Sequence, residues 1–273
     1  MMSLKGGEKM GKIIALANQK GGVGKTTTSI NLSACLGVLG KKILLVDLDP
    51  QGNATTGLGI NKAGVKASIY ELLVGTAQTE DAIIHTPFKN LDVIPATLNL
   101  AGADIELIER SRQDPNFIRT EQLKKDLAKV RNNYDYIFID CPPSLGILTT
   151  NAMAAADGII IPLQCEFFAL DGIMQLLSSI RLAQKNLNPN LKIEGVLLTM
   201  LDSRTNLGLE VVEDTRNYFK ECVYDTIIPR LVKLSEAPSY GKPIIEYDPL
   251  SRGTEAYLNL AKEVIERDGK QQQ

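Results

Sequence analysis

The 273-residue chain has no tryptophan, a single histidine (His85) and four cysteines, Cys35, Cys141, Cys165 and Cys222, none close to another in sequence. Without a Cys-x-x-Cys pair, and with only one imidazole, a protein-ligated zinc site is excluded, and the paired cysteines of an iron–sulfur protein are missing too. The thiols read instead as small buried side chains in a reducing compartment. No stretch approaches the roughly 18 apolar residues of a membrane span. The first eleven residues carry Lys5 and Lys9 but no apolar core, so they are not a secretory signal. An excess of one charge is also lacking. Thirty Lys and Arg against 32 Asp and Glu leave a net charge of −2, which excludes a generally basic nucleic-acid coat; any nucleic-acid contact needs a local patch, one that assembly of copies could complete. The composition, 44% hydrophobic and 23% charged, is that of a globular domain rather than a disordered chain. A cytoplasmic location is expected.

What is present is an alternation of short apolar runs and longer helical patterns. Ile13–Ala17, Ile43–Val46, Leu91–Ile94, Tyr136–Ile139, Gly158–Ile161 and Val196–Thr199 read as strands. Most are continuously apolar, as strands buried on both faces must be. Helices are expected over Thr26–Leu39 (closed by Gly40), Phe117–Val130, Ala169–Gln184, Leu209–Phe219 and Thr254–Arg267. This pattern predicts an α/β fold, a single doubly wound, mostly parallel sheet with helices on both faces. No repeat and no Pro/Gly/Ser linker divides the chain. One domain is expected over 12–268, after a flexible leader (1–11) and before a disordered tail (269–273); Asn61 to Asp114 is the least regular part.

Three segments carry chemistry. Asn18-Gln-Lys-Gly-Gly-Val-Gly-Lys-Thr-Thr-Thr28 follows a strand and opens a helix. Glycines in that setting let backbone N–H groups approach phosphate oxygens, and the helix N-terminus adds partial positive charge. Lys25 then reaches the β- and γ-phosphates and the Thr26 hydroxyl ligates Mg²⁺. The string departs from the plain P-loop pattern, with Gln19 where the first glycine belongs and an additional Lys20 ahead of Gly21 and Gly22. In the second segment, Leu44-Leu-Val-Asp-Leu-Asp-Pro-Gln-Gly-Asn53, Asp47 and Asp49 lie where a buried strand ends. That edge of a parallel sheet binds phosphates and metal, so the pair reads as a Mg²⁺-water ligand and a water-positioning base, or equally as an Asp-Pro turn. In the third, Tyr136-Ile-Phe-Ile-Asp-Cys-Pro-Pro-Ser144, an apolar strand ends in Asp140, a carboxylate placed to hold a water on Mg²⁺. No histidine is identifiable to activate Cys141 as a nucleophile.

Lys20-Gly-Gly-Val-Gly-Lys-Thr26 is a deviant Walker A motif, and on it the chain resembles the ParA/MinD family of P-loop ATPases. The strings ALANQKGGVGKTT, VDLDPQGNAT, LLTMLDSRTNLG, SEAPSYGKPI and YDPLSRG recur in order, which makes it most similar to the short chromosomal ParA branch, often called Soj. With about a dozen residues before the first strand, the helix-turn-helix of the longer branch has no room. The resemblance implies a Mg²⁺-dependent ATP hydrolase with ATP held by Lys20, Gly21, Gly22, Val23, Gly24, Lys25, Thr26 and Thr27. Mg²⁺ falls to Thr26, Asp47 and Asp140, the aspartates through water. Lys20 becomes the lysine that crosses to the partner's phosphates in a nucleotide-sandwich dimer, and Asp49 the residue that orients the attacking water. Met200, Pro229 and Leu231 fall in the base pocket, Leu231 by backbone only because the family often has Asn there. The implied partners are a second copy bound in the presence of ATP, double-stranded DNA held without sequence preference, and a ParB-like activator, with the protein on the nucleoid and no membrane partner. Candidate DNA contacts are Arg204, Arg230, Lys233, Lys242 and Arg252, diluted by Glu236, Glu246 and Asp248. A MinD-like membrane cycle is the alternative. It needs a C-terminal amphipathic helix, and Tyr257, Leu260, Ala261, Val264 and Ile265 do form a stripe; with mixed charges opposite, that stripe reads more simply as a helix packed on the core. The cysteines do not separate the chain from amide-forming relatives, but the Soj-like strings do.

Overall fold

The computed structural model describes residues 10–166 and 171–271. Seven strands form one sheet: β1 (Lys12–Leu16), β2 (Ile43–Asp47), β3 (Ile84–His85), β4 (Leu91–Ile94), β5 (Tyr136–Asp140), β6 (Gly158–Gln164) and β7 (Lys192–Thr199), in the order β3-β4-β2-β5-β1-β6-β7. All neighbours are parallel except the edge pair β3–β4. Successive residues alternate between two apolar layers. Ile13 and Ala15 pack with Val46, Ile137 and Ile139 on one face; Ile14 and Leu16 pack with Leu45 and Phe138 on the other. Both layers are dry, which is why these strands are apolar at every position.

The second face is covered by helix α1 (Lys25–Val38), through Ile30, Leu32 and Leu36, and by the last helix, Arg252–Gln271, through Tyr257, Leu260, Ala261 and Val264. Helices Gln122–Val130, Ile147–Ala155 and Asp171–Asn186 cover the first. At the end of α1, Gly40 takes φ +88° and the Lys41 N–H donates to the Leu36 carbonyl, the left-handed C-cap expected of that glycine.

Several boundaries differ from the sequence reading. The helix expected from Phe117 starts at Gln122, because an Asx turn at Asp114 and a second turn ending at Glu121 take up residues 114–121 first. The last helix continues through Gln271, past the expected start of a disordered tail. Gly11, assigned to the leader, is buried: its carbonyl accepts from Arg131 Nε at 2.6 Å, and a Cβ there would lie 2.3 Å from the Tyr134 carbonyl oxygen. Residues 1–9 of the leader, 272–273 of the tail and the Ala169–Leu170 start of one expected helix lie outside the described residues. His85 is a satisfied surface histidine on the edge strand, with Nδ1 2.8 Å from Asp92. Cys35, Cys141 and Cys165 are buried, Cys222 is half-buried, and all four are free. No helix among the described residues is long and apolar enough to cross a membrane.

One packing contact tests the fit of α1 to the sheet edge. A methyl group on Gly37 would lie 2.2 Å from the Lys89 carbonyl oxygen, whose loop is tied to Gly37 by Asn90 Nδ2 donating to the Gly37 carbonyl. Alanine gains about 1 kcal/mol of helix propensity, but a backbone clash of this depth costs about 1–3 kcal/mol. Gly37→Ala is therefore expected to lower unfolding free energy in urea by about 1 kcal/mol, the clash less the propensity gain; an unchanged or higher value would show that the Lys89 loop yields freely.

Candidate active site

The chain from β1 into α1 makes a phosphate cradle. Gly22 (φ +74°) and Gly24 (φ +87°) adopt left-handed conformations that other residues resist, and no side chain caps the first turn of α1. Lys25 opens the helix at 6% exposure, with Nζ donating to the Lys20 carbonyl at 3.1 Å. Burial lowers its pKa while Asp140, Cys141 and Asp49 oppose the shift. Gly21, Gly22, Gly24, Lys25, Thr26 and Thr27 line an open cleft of about 630 Å³, with Asp49 and Pro143 also on its wall. Val23 points into the core, so only its backbone belongs to the cradle, and its carbonyl accepts from Thr199 Oγ1 at 2.9 Å.

Asp47 and Asp140 sit side by side in the β2–β5 register, both fully buried. Asp140 accepts from Ser29 Oγ at 2.9 Å through one oxygen, and its other oxygen is buried without a partner. Asp47 accepts from the Thr55 N–H and hydroxyl, both at 2.7 Å, and from the Asp49 N–H at 3.3 Å. Burial raises the pKa of both; the charge of Asp47 adds to the rise at Asp140, and the Thr55 bonds oppose it at Asp47. Two adjacent buried carboxylates with one orphaned oxygen fit a hard divalent cation that takes oxygen ligands. Asp49 stands at the rim, with Oδ1 accepting from the Gln51 N–H at 2.9 Å. Cys141 is no nucleophile: burial, then the Asp140 charge, pushes its thiol far above neutrality.

Beside the cradle, Met200, Pro229 and Leu231 converge on one small hollow with Gly24, Thr27 and Tyr257. They meet because the segment after Val223 continues along β7: the Tyr224 and Ile228 N–H groups donate to the Val196 and Leu198 carbonyls.

Residues 11–193 match the AAA domain family. The chain is 62% identical over 255 residues to the sporulation initiation inhibitor protein Soj of Bacillus subtilis, covering 93% of this chain and 98% of that one. It is 51% identical over 260 residues to the chromosome-partitioning ATPase Soj of Treponema pallidum, covering 95% and 99%. Among solved structures, cobyrinic acid a,c-diamide synthase from Mycobacterium smegmatis with a bound ATP analogue and magnesium superposes with a TM-score of 0.82 at 37% identity, covering 96% of this chain and 97% of that one. The chain belongs to the Soj/ParA family of partitioning ATPases.

For this Soj/ParA chain the extra lysine is the notable site residue. Lys20 is absent from the wall of its own cleft; its side chain is 41% exposed, with Nζ 3.7 Å from Glu166. Glu166 also takes Arg230 Nη2 at 3.2 Å. Of the five candidate DNA cations, Arg204 is paired with Asp202, Arg230 with Glu166 and Lys233 with Asp248, while Arg252 lines a polar hollow beside Pro229 and Lys242 is exposed. They are spread over the loops and helices after β7, from Arg204 to Arg252 at the start of the last helix, and Arg230 borders the base hollow. Ser29, Thr55 and Glu166 had no signal of their own in the sequence; each matters only through the carboxylate or cation that the fold brings to it.

The carboxylate pair has a measurable signature. With both pKa values raised, the metal-free native state holds protons that the unfolded chain has already released, so its stability falls as pH rises from the ordinary carboxylate range towards neutrality. Asp140→Asn removes one charge. In EDTA, the loss of unfolding free energy between about pH 5 and pH 7.5 is expected to be smaller in the variant; an equal loss would mean that Asp140 does not titrate above the ordinary carboxylate range in the native state.

Proposed function

We propose that the chain is a DNA-partitioning ATPase in which ATP closes a sandwich dimer, the dimer holds DNA non-specifically, and hydrolysis stimulated by a ParB-like partner releases it. The observation that supports the reading is the contrast between two lysines: Lys25 is buried in its own cradle, whereas Lys20 is half exposed, paired with Glu166 and not among the residues lining its own cleft.

The mechanism follows from the arrangement. The left-handed glycines and the N–H groups opening α1 hold the phosphates, and Lys25 neutralises their charge. Thr26 would hold Mg²⁺ directly, with Asp140 and Asp47 holding its waters. The ion held there would supply positive charge against the negative charge that develops on the phosphate during transfer. Asp49 orients the attacking water at the rim, and Lys20 from the second copy adds a cation to the transferring phosphoryl group. The base lies in the hollow of Met200, Pro229 and Leu231. DNA is held through phosphates by the cations after β7, placing the protein on the nucleoid. A membrane cycle is disfavoured because Tyr257, Leu260, Ala261 and Val264 are buried against α1 and the sheet, so the apolar stripe of the last helix is already used in the core. Amide synthesis, the activity of the solved neighbour at 37% identity, is disfavoured by the higher identity to partitioning proteins over nearly the whole chain.

Three variants separate the steps. Lys25→Ala is expected to lose affinity for fluorescent ATP and the ATP-dependent dimer with it; normal binding would remove the P-loop from the account. Lys20→Ala is expected to bind ATP and remain monomeric by size-exclusion chromatography, and a dimer would show that Lys20 does not act in trans. Asp49→Ala removes a group used only in the chemical step, so turnover is expected to drop about 10²–10⁴-fold while an ATP-bound dimer accumulates on DNA. That retention should weaken steeply with salt. Normal turnover would exclude Asp49 from the mechanism, and a trapped dimer that ignores DNA but sediments with vesicles would favour the membrane cycle.

A further inference from the structure

The segment carrying Asp49 is closed on itself by a buried carboxylate. Asp47 and Thr55 stand at its two ends, both without solvent exposure. One oxygen of Asp47 accepts from the Asp49 N–H at 3.3 Å; the other accepts from the Thr55 N–H and the Thr55 hydroxyl at 2.7 Å each. The Thr55 hydroxyl accepts a hydrogen bond as well as donating one. The Ala96 N–H, just beyond β4, donates to it at 2.9 Å. A single hydroxyl therefore joins three parts of the structure: the end of β2, the segment carrying Asp49, and the chain leaving β4, the strand that pairs with β2. Between the two ends, Gly52 (φ +60°) makes the turn, its N–H donates to the Asp49 carbonyl at 2.8 Å, and Lys62 Nζ donates to the Gln51 carbonyl. The adjacent Thr56 offers a contrast: its hydroxyl only bonds back to the Gly52 carbonyl four residues earlier, as threonine commonly does in a helix.

We propose that Thr55 is a positioning residue for hydrolysis: its hydroxyl locks the 47–55 loop to the sheet, so that Asp49 is held at the cleft before nucleotide arrives. The inference rests on the reading of Asp49 as the water-orienting group. Its physical basis is that the buried Asp47 carboxylate accepts from the N–H of Asp49 itself and, through its other oxygen, from the buried Thr55 at the far end of the short loop, which leaves little freedom to the loop in between. A water-positioning group displaced by a fraction of an ångström loses much of its effect. The hydroxyl does not line the cleft: Thr55 is absent from its wall, while Asp49, Asn53, Thr56 and Gly57 are on it.

Thr55→Val keeps the shape of the side chain and removes the donor to Asp47 and the acceptor for Ala96; Thr55→Ser keeps both. For Thr55→Val, turnover is expected to fall about 10- to 100-fold, the usual cost of losing a supporting hydrogen-bond partner. Its affinity for fluorescent ATP should stay within about twofold and its ATP-dependent dimer should still form. Thr55→Ser is expected to restore turnover. The direct readout is amide hydrogen exchange in the nucleotide-free protein: the Asp49, Gln51 and Thr55 amides should exchange several-fold faster in Thr55→Val than in wild type or Thr55→Ser. Thr55→Ala, which keeps only the backbone donor, supplies the same comparison if the valine variant does not fold. Wild-type exchange and turnover without the hydroxyl would overturn the proposal, as would a serine variant as slow as the valine one, or loss of ATP binding in step with turnover. Failure of the Asp49 reading is separable. In that case Asp49→Ala would hydrolyse normally whatever Thr55→Val does, whereas an inactive Asp49→Ala beside an unimpaired Thr55→Val would remove only Thr55.

Discussion

Asp47 and Asp140, adjacent at the buried ends of β2 and β5, repel each other where water cannot screen them, with Lys25 as the buried cation facing Asp140. Burying charge costs several kcal/mol per ion unless partners compensate it. Two carboxylates against one ammonium leave the compensation incomplete, and the orphaned oxygen of Asp140 marks the deficit. An isolated domain with this edge is therefore under electrostatic stress that a divalent cation with a polyphosphate would relieve. The fold is consistent with that demand. Layers of apolar side chains on both faces keep the strand ends dry, and the parallel register sets the two carboxylates level with each other. The opening of α1 leaves its first N–H groups without a side-chain cap at the same edge.

Around this centre, ordinary hydroxyls do the supporting work. Ser29, one turn into α1, holds Asp140, and Thr55 holds Asp47. The P-loop is tied to β7 through the Thr199 hydroxyl and the Val23 carbonyl, which brings the base hollow against the cradle. Of the two P-loop lysines, Lys20 is the one left at the surface, with the exposed Glu166 opposite it. An exposed pair of this kind is worth at most about 1 kcal/mol, so a partner's triphosphate would displace Glu166 at little cost.

Much of this was legible in the chain itself. Strands buried on both faces have to be apolar at every position, so Ile13–Ala17 or Tyr136–Ile139 could be recognised without a partner in view. Gly40 marked the end of α1, and the P-loop string carried its own geometry through glycines that only a left-handed turn requires. What could not be read were features that depend on which distant segments meet. The edge strand Ile84–His85 is two residues long and exists because β4 offers it an edge. Thr55 and Ser29 are unremarkable in NATT and TTTS until strand register brings carboxylates to them. Arg230 is a surface cation, but its pairing with Glu166, 64 residues earlier in the chain, beside the base hollow could not be read from the sequence. Asp47 and Asp49 were open to two readings because a turn former and a metal-site carboxylate have the same side chain; the structure buries Asp47 against Thr55 and gives Asp49 both an Asx turn and a place on the cleft wall.

The central claim is that each cleft is completed by Lys20 of another copy, and mixing two inactive variants tests it most directly. A Lys20→Ala protomer retains Asp49 but gives its partner no lysine; an Asp49→Ala protomer retains Lys20 but cannot orient water. If Lys20 acts across the dimer, the mixed pair contains one cleft with an intact Asp49 and a partner's Lys20. An equimolar mixture should then recover ATP turnover that neither variant shows alone, in proportion to the mixed dimer formed. If Lys20 serves its own subunit, every cleft in the mixture lacks one group or the other, and a mixture as inactive as its components would contradict the account.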